Sequence, residues 1–240
     1  MSREKVTAII LAAGRGTRME SDIHKQYMLL SGKPMIYYSL LAFEESAVDE
    51  IVLVTGAGEE AYCRKEIVET YGFLKVARIV AGGKERYHSV YEGLKAAEGS
   101  DYILIHDGAR PCVTKKMIQA AIEEARISGA CVIGMPVKDT IKISDSSGFA
   151  VGTPDRSSLW LIQTPQAFSY SLIMDAYTKL FEREGSQQGI TDDAMVVEKM
   201  TDRKVKLVYG SYENIKVTTP EDIAVAEIFL SKRLKKAIDN

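Results

Sequence analysis

The stretch "VTAIILAAGRGTRM" (6–19) decides how the rest of the chain is read. Its apolar run, Val6 to Leu11, has the length of a strand, is rich in Val and Ile, and shows little apolar/polar alternation. Such a strand is covered on both faces, as in a parallel sheet. It runs directly into Ala12, Ala13, Gly14 and Gly16, whose small or absent side chains let backbone N–H groups approach an anion closely. Arg15 and Arg18 add charge, and arginine can hold phosphate through two parallel hydrogen bonds. Two familiar loops are excluded. A dinucleotide fingerprint needs glycine where Met19 stands, and a P-loop needs Gly-Lys-Ser/Thr. On spacing alone the stretch is either a phosphate cradle of another kind or a tight turn.

Strand-length runs recur outward from this one: "EIVLV" (50–54), "ARIVA" (77–81), "YILIHD" (102–107), "ACVIGMPV" (130–137) and "KLVYG" (206–210). Between them lie helical patterns. In 115–127, Ile118, Ala121, Ile122 and Ala125 follow helical spacing, with Thr114 as N-cap. The last helix is expected to start after Thr219, with Pro220, Glu221 and Asp222 in its first turn. Strands alternating with helices imply βαβ units and an α/β fold with a mostly parallel sheet. Residues 138–160 break that rhythm, alternating apolar and polar around Ser-Ser-Gly, which predicts a projecting β-hairpin. Such an excursion commonly serves binding or oligomerisation.

Bulk properties narrow the function. The chain has 240 residues, 46% hydrophobic and 27% charged, with a net charge of −2. That balance argues against broad nucleic-acid binding, which requires a basic surface. Cys63, Cys112 and Cys131 are odd in number and lack CxxC spacing, so neither a disulfide framework nor a zinc site is expected. No apolar run approaches the ~20 residues that span a bilayer. No membrane association is expected, and the chain reads as cytoplasmic.

In an open parallel sheet, ligands sit beyond the carboxyl ends of the strands, so the loops there carry the candidate chemistry. Lys25, in "HKQYMLL", is close enough in sequence to fold over the first loop, although taken alone it reads as a surface lysine. In "AGGKERYHSV" (81–90), Gly82 and Gly83 open the backbone at a strand end and Ser89 begins a helical pattern. Either the edge of a flat base or a simple turn accounts for that. In "ILIHDGARP" (103–111), Asp107 stands where a buried strand ends, followed by Arg110. Its carboxylate suits Mg²⁺, which takes one or two carboxylates and completes its shell with phosphate and water. An Asp-Gly turn is the alternative, and His106 reads as structural. "LIQTPQAF" (161–168) and "GITDDAMVVEKM" (189–200) are polar stretches that propensity does not explain, with Asp192 and Asp193 read as helix caps. Lys216 sits after the last sheet strand, just ahead of a helix.

Taken in order, "LAAGRGTRM", "KQY", "AGGKERYHSV", "HDGARPCV", "PVKDT", "QTPQAF", "TDDA" and "NIKVTTPEDIAVAE" cover nearly the whole chain. The set closely resembles the 2-C-methyl-D-erythritol 4-phosphate cytidylyltransferase family of the non-mevalonate isoprenoid pathway. The resemblance implies a single Rossmann-like nucleotidyltransferase domain over residues 1–240, helices on both sheet faces, and a homodimer whose hairpin arms interlock. It implies that CTP and methylerythritol phosphate give CDP-methylerythritol and pyrophosphate, with Mg²⁺ on Asp107. By the same resemblance, Ala12, Ala13, Gly14, Arg15 and Gly16 wrap the triphosphate, while Arg18, Lys25 and Lys216 are catalytic. Gly83, Lys84 and Ser89 help read cytosine. Thr140, Arg156 and Arg110 bind the sugar phosphate, the first two across the dimer interface. Family members often carry Ala at position 108 and Asp at position 84, where this chain has Gly and Lys.

Elementary electrostatics agrees. An acceptor phosphate must approach the α-phosphate of CTP, and two unit charges ~4 Å apart repel by about 4 kcal/mol at an effective dielectric of ~20. Several cations must offset this, and no nucleophilic side chain is needed, because the reaction relies on positioning and charge stabilisation. A ribitol-5-phosphate cytidylyltransferase is the nearest alternative. A catalytically inactive nucleotide-binding regulator is more remote, since the expected cations and the aspartate are all present.

Overall fold

The structure, a computed structural model, describes residues 3–14 and 24–238. In chain order the strands are β1 (Val6–Ala12), β2 (Leu29–Leu30), β3 (Lys33–Pro34), β4 (Glu50–Thr55), β5 (Val76–Ala81) and β6 (Tyr102–Asp107). They continue with β7 (Ala130–Pro136), β8 (Ile143–Ser144), β9 (Ala150–Gly152), β10 (Trp160–Ser169) and β11 (Lys206–Tyr209). The helices are α1 (Met35–Glu44), α2 (Glu60–Tyr62), α3 (Arg86–Ala96), α4 (Lys115–Ser128), α5 (Tyr170–Glu182), α6 (Asp193–Met200) and α7 (Pro220–Ile238). A π-helical turn, Cys63–Glu69, extends α2.

Among the described residues, seven strands form the central sheet in the order β11-β7-β10-β6-β1-β4-β5. Every neighbouring pair is parallel except those of β10, which runs antiparallel to both β6 and β7. The mostly parallel α/β fold expected from the strand rhythm is therefore the fold observed. Strand period explains how both faces are buried. Ala8 and Ile10 of β1 pack with α1 and α4, whereas Ile9 faces the opposite way toward α3, α5 and α6. Truncating one of these fully buried aliphatic side chains would cost about 2–5 kcal/mol.

Local signals act as the sequence suggests. The Thr114 hydroxyl accepts from the Met117 amide at 3.3 Å to start α4, which stops at Gly129, held at φ +78° where a side chain would be strained. α7 opens at Pro220, with the Asp222 carboxylate accepting from the Thr218 and Thr219 amides at 2.8 and 2.9 Å. The hairpin forms from β8 and β9. Its turn is tied by Asp145, whose carboxylate accepts from the Ser147 and Phe149 amides, both at 2.9 Å. Trp160, assigned to the hairpin from sequence, instead opens β10 and pairs with Pro136.

β10 itself is the main difference from the sequence reading. It spans "LIQTPQAF", which propensity placed in no element, yet it lies inside the sheet. Proline and polar side chains in a buried strand mask the usual signal. Gln163, Thr164 and Gln166 are buried with hydrogen-bond partners on neighbouring segments: Gln163 on the Ser211 carbonyl, Thr164 on the Asp107 amide at the end of β6, and Gln166 on the Asp192 carboxylate.

Candidate active site

Parallel register brings four strand ends level. Ala12 pairs with Thr55, Thr55 with Ala81, and Leu11 with Asp107. The loops beyond them enclose a cavity of about 820 Å³, and Arg86, Asp107 and Lys216 are shared with an adjoining cavity of about 290 Å³.

Backbone and small residues dominate the larger cavity. Ala12, Ala13 and Gly14 follow β1, Gly56 and Ala57 follow β4, and Gly82, Gly83 and Lys84 follow β5. Gly82 is required by close approach: a Cβ there would lie 2.5 Å from the Ala13 Cβ and 2.7 Å from the Ser89 Oγ. The Gly83 amide donates to Ser89 Oγ at 3.1 Å, fixing the loop on α3. The Gly-Gly pair is thus a tight turn, and it also forms a cavity wall.

Lys25 reaches the cavity on a 3₁₀ turn, Lys25–Tyr27, that is anchored on both sides. The Gln26 side-chain amide donates to the Ala12 carbonyl. The Tyr27 hydroxyl donates to Glu59 at 2.8 Å, and His24 pairs with the same carboxylate. The Lys25 ammonium donates to the Val217 carbonyl at 3.2 Å, next to Lys216.

Asp107 stands at the junction of the two cavities. Lys216 Nζ lies 2.9 Å from its Oδ2, Arg86 Nε 3.2 Å from Oδ1, and Arg110 Nε 3.7 Å from Oδ2. Burial pushes the Asp107 carboxyl up, but Arg86, Lys216 and Arg110 outweigh it and hold the group well below the usual carboxylate range. The Asp107 amide donates to Thr164 Oγ1 at 3.1 Å, and that hydroxyl lies 3.0 Å from His106 Nδ1. Burial pushes the His106 imidazole down to about 3, so it is neutral and structural, as expected. Arg110 is fixed by its bond to the Asn214 carbonyl at 2.9 Å.

Polar side chains dominate the smaller cavity, which Arg110, Gln163, Thr164, Gln166, Thr191 and Asp192 help to line. Gln166 Oε1 accepts from the Asp193 and Ala194 amides at 3.1 and 2.9 Å, tying β10 to the start of α6. Asp192 caps α6 through the Met195 amide at 2.9 Å. Asp193 does something else: it takes both terminal nitrogens of Arg86, at 2.9 and 2.8 Å.

Of the expected site residues, Ala12, Ala13, Gly14, Lys25, Gly83, Lys84, Ser89, Asp107 and Lys216 line the larger cavity, and Arg110 lines the smaller. Arg15, Gly16 and Arg18 lie outside the described residues. Thr140 and Arg156 are exposed on the arm and line neither cavity, with Arg156 donating to the Lys138 carbonyl at 2.7 Å. Sequence reasoning missed Arg86, Gln166, Asn214 and the gripping role of Asp193. The signal for Gln166 and Asp193 was the unexplained polarity of the two stretches that carry them, and Arg86 and Asn214 had none of that kind.

The family model described as IspD, 2-C-methyl-D-erythritol 4-phosphate cytidylyltransferase, matches residues 6–232. A protein of that name from Lachnospira eligens is 53% identical over 225 residues, covering 93% of this chain and 98% of its own. One from Lachnoclostridium phytofermentans is 51% identical over 227 residues, covering 95% and 97%. The crystal structure of 4-diphosphocytidyl-2C-methyl-D-erythritol synthase from Anaerococcus prevotii superposes with a TM-score of 0.82 at 35% identity, covering 95% of this chain and 99% of that one.

Proposed function

The chain belongs to the 2-C-methyl-D-erythritol 4-phosphate cytidylyltransferase family, and on that premise we propose that Asp107 marks the point where the two substrates meet. The enzyme transfers a cytidylyl group from CTP to 2-C-methyl-D-erythritol 4-phosphate, giving CDP-methylerythritol and pyrophosphate. Its relatives carry the methylerythritol acceptor in their names, which decides against ribitol phosphate.

The observation that carries the residue-level reading is the convergence of Arg86, Arg110 and Lys216 on Asp107, between a glycine-walled cavity and a polar one. CTP occupies the larger cavity. Its triphosphate lies along Ala12, Ala13 and Gly14, and its base lies against Gly83, Lys84 and Ser89; Arg15, Gly16 and Arg18 are assigned to the same phosphates by the family resemblance alone. An oxygen of the acceptor phosphate attacks the α-phosphorus, the bond from that phosphorus to the β-bridging oxygen breaks, and pyrophosphate leaves. Lys25 and Lys216 offset the repulsion between the two anions in a cavity where charge is poorly screened. Arg110 faces the acceptor side.

Asp107 suits a divalent cation by its donor chemistry, being an ionised carboxylate on the wall of both cavities. Among the described residues, no three His, Cys, Asp or Glu side chains converge as a cluster. Phosphate oxygens and water would therefore supply the remaining ligands of a Mg²⁺ ion. Bound there, the ion would neutralise charge on the phosphate oxygens.

The reading takes residues 1–240 as one nucleotidyltransferase domain with 138–160 as its arm, working as a homodimer. The arm's exposed Ile143, Phe149 and Val151 support it, because they are apolar side chains needing cover. So does the separation of Thr140 and Arg156 from the cavities: both reach an acceptor only if the arm of one protomer serves its partner. Among the described residues, no helix is long and apolar enough to cross a membrane. Free, buried Cys63, Cys112 and Cys131 suit a reducing cytoplasm.

Pyrophosphate release measured with methylerythritol phosphate and with ribitol 5-phosphate tests this assignment. The expected result is a kcat/KM strongly favouring the former, and an equal or reversed preference would overturn it.

A further inference from the structure

Asp193 is fully buried and lines neither cavity, yet it takes most of Arg86. Arg86 Nη1 and Nη2 donate to Asp193 Oδ1 and Oδ2 at 2.9 and 2.8 Å, while Nε donates to Asp107 Oδ1 at 3.2 Å. Arg86 opens α3, the helix that carries Ser89 of the nucleotide cavity, and Asp193 opens α6, beside Thr191 and Asp192 of the polar cavity. One guanidinium therefore joins the elements that bound the two cavities. The Tyr177 hydroxyl donates to Asp193 Oδ1 at 2.6 Å and Gln166 accepts from the Asp193 amide, so both the carboxylate and its backbone are tied to elements other than α3.

A guanidinium is a planar fork that engages only one carboxylate through both terminal nitrogens. With that fork occupied, Arg86 gives Asp107 a single N–H, and Asp107 Oδ2 stays with Lys216 at 2.9 Å. Without a charged partner at 193, the nearest carboxylate for the whole fork is Asp107, and Lys216 would lose its place. We propose that Asp193 is a positioning residue for cytidylyl transfer, holding Arg86 edge-on to Asp107 so that Asp107 and Lys216 remain paired where the cavities meet. The inference rests on the roles given above to Asp107 and Lys216.

The full chain tests it, by thermal melting, CTP binding in equilibrium dialysis, and steady-state kcat and KM for both substrates, normalised to folded protein. Asp193→Asn keeps the shape and removes the charge, and is expected to lower kcat about 10- to 100-fold, the scale of a small misplacement at a reaction centre. Its CTP affinity should stay within about threefold, because the loss falls on the transition state and not on nucleotide binding. Tyr177→Phe removes one hydrogen bond from the same carboxylate but leaves its charge, and should lower Tm with kcat within about threefold. Arg86→Lys keeps the charge and loses the fork, so its kcat should fall as Asp193→Asn does. Combined with Asp193→Asn it should lose little more than the worse single variant, since both break one link.

Wild-type kcat in folded Asp193→Asn would overturn the proposal, as would Tyr177→Phe losing as much kcat as Asp193→Asn, or fully additive losses in the double variant. Should Asp193→Asn fail to fold, wild-type kcat in Arg86→Lys overturns it. Lys216→Ala, run alongside, separates the two levels. Its retained activity would sink the site assignment, whereas its loss beside a fully active Asp193→Asn would sink only the positioning role.

Discussion

The larger cavity is walled by Ala12, Ala13, Gly14, Gly82 and Gly83, the smaller by Arg110, Gln163, Thr164, Gln166 and Asp192, and the two meet at Asp107. In the first, side chains are withheld so that backbone can come close. In the second, side chains are present and hold one another, Asn214 on Gln163, Thr164 on His106 and Gln166 on Asp192. On the proposed assignment of CTP to the larger cavity and the polyol phosphate to the smaller, the contrast follows from the ligands. A nucleotide offers a flat base and a chain of phosphates, which closely approaching amides can bind without charge of their own. A small polyol phosphate offers little surface, so its place must be set by oriented polar groups.

That contrast can be broken by experiment. The largest effect is expected at the two lysines, Lys216 at the junction and Lys25 in the larger cavity: Lys216→Ala or Lys25→Ala should lower kcat by about 10²- to 10³-fold, the scale of one lost charge-stabilising donor, with the protein still folded by circular dichroism. Near wild-type turnover in either variant would remove it from the reaction.

Arg156→Ala should raise the acceptor KM and spare that of CTP. Mixed with Lys216→Ala and allowed to exchange subunits, it should recover about one quarter of wild-type activity, because a quarter of shared sites would be intact in a symmetric dimer. Failure of the mixture to exceed its parents would contradict a shared site.

On the nucleotide side, Gly82→Ala forces contacts of 2.5 and 2.7 Å on Ala13 and Ser89. Overpacking of that kind costs about 1–3 kcal/mol, so the CTP KM should rise by roughly tenfold or more while the acceptor KM holds. If both KM values rise together, the two cavities are not separate binding sites.

The smallest effect concerns neither cavity. Burial pushes the Cys63 and Cys112 thiols up to about 11 and Cys131 up to about 12, from an ordinary value of 9.0. Folded protein should resist a thiol reagent at pH 8, with all three cysteines reacting after denaturation. Because the folded values are raised, the unfolded chain loses these protons first. Their contribution to stability is complete below about pH 9 and declines as pH rises toward 11 to 12, which chemical melts across that range would read.

Legibility in the sequence tracked the same divide. The glycine-rich wall could be read because small residues after an apolar strand are a local signal, confined to a few consecutive positions such as 12–14 and 82–83. Lys25, Asp107 and Lys216 were found because a strand end or an ordered motif pointed to each. The polar wall resisted. Thr164 matters because it faces Asp107, 57 positions away, and Asp193 because it meets Arg86 across 107. A buried polar strand also lacks the apolar run that reveals its neighbours. Resemblance named Arg110, Thr140 and Arg156 for the acceptor, yet in one chain only Arg110 lines a cavity.

By itself, the sequence determined the βαβ alternation, the helix boundaries marked by Thr114 and Pro220, the hairpin turn and the small-residue loop beyond β1. Each depends on periodicity or on conformational preferences that act within a few residues. Only the tertiary structure decided that β10 enters the sheet antiparallel and that Arg86 is divided between Asp193 and Asp107. Those outcomes depend on which polar groups find partners once the strands are side by side, and a buried polar group is stable only where such a partner arrives.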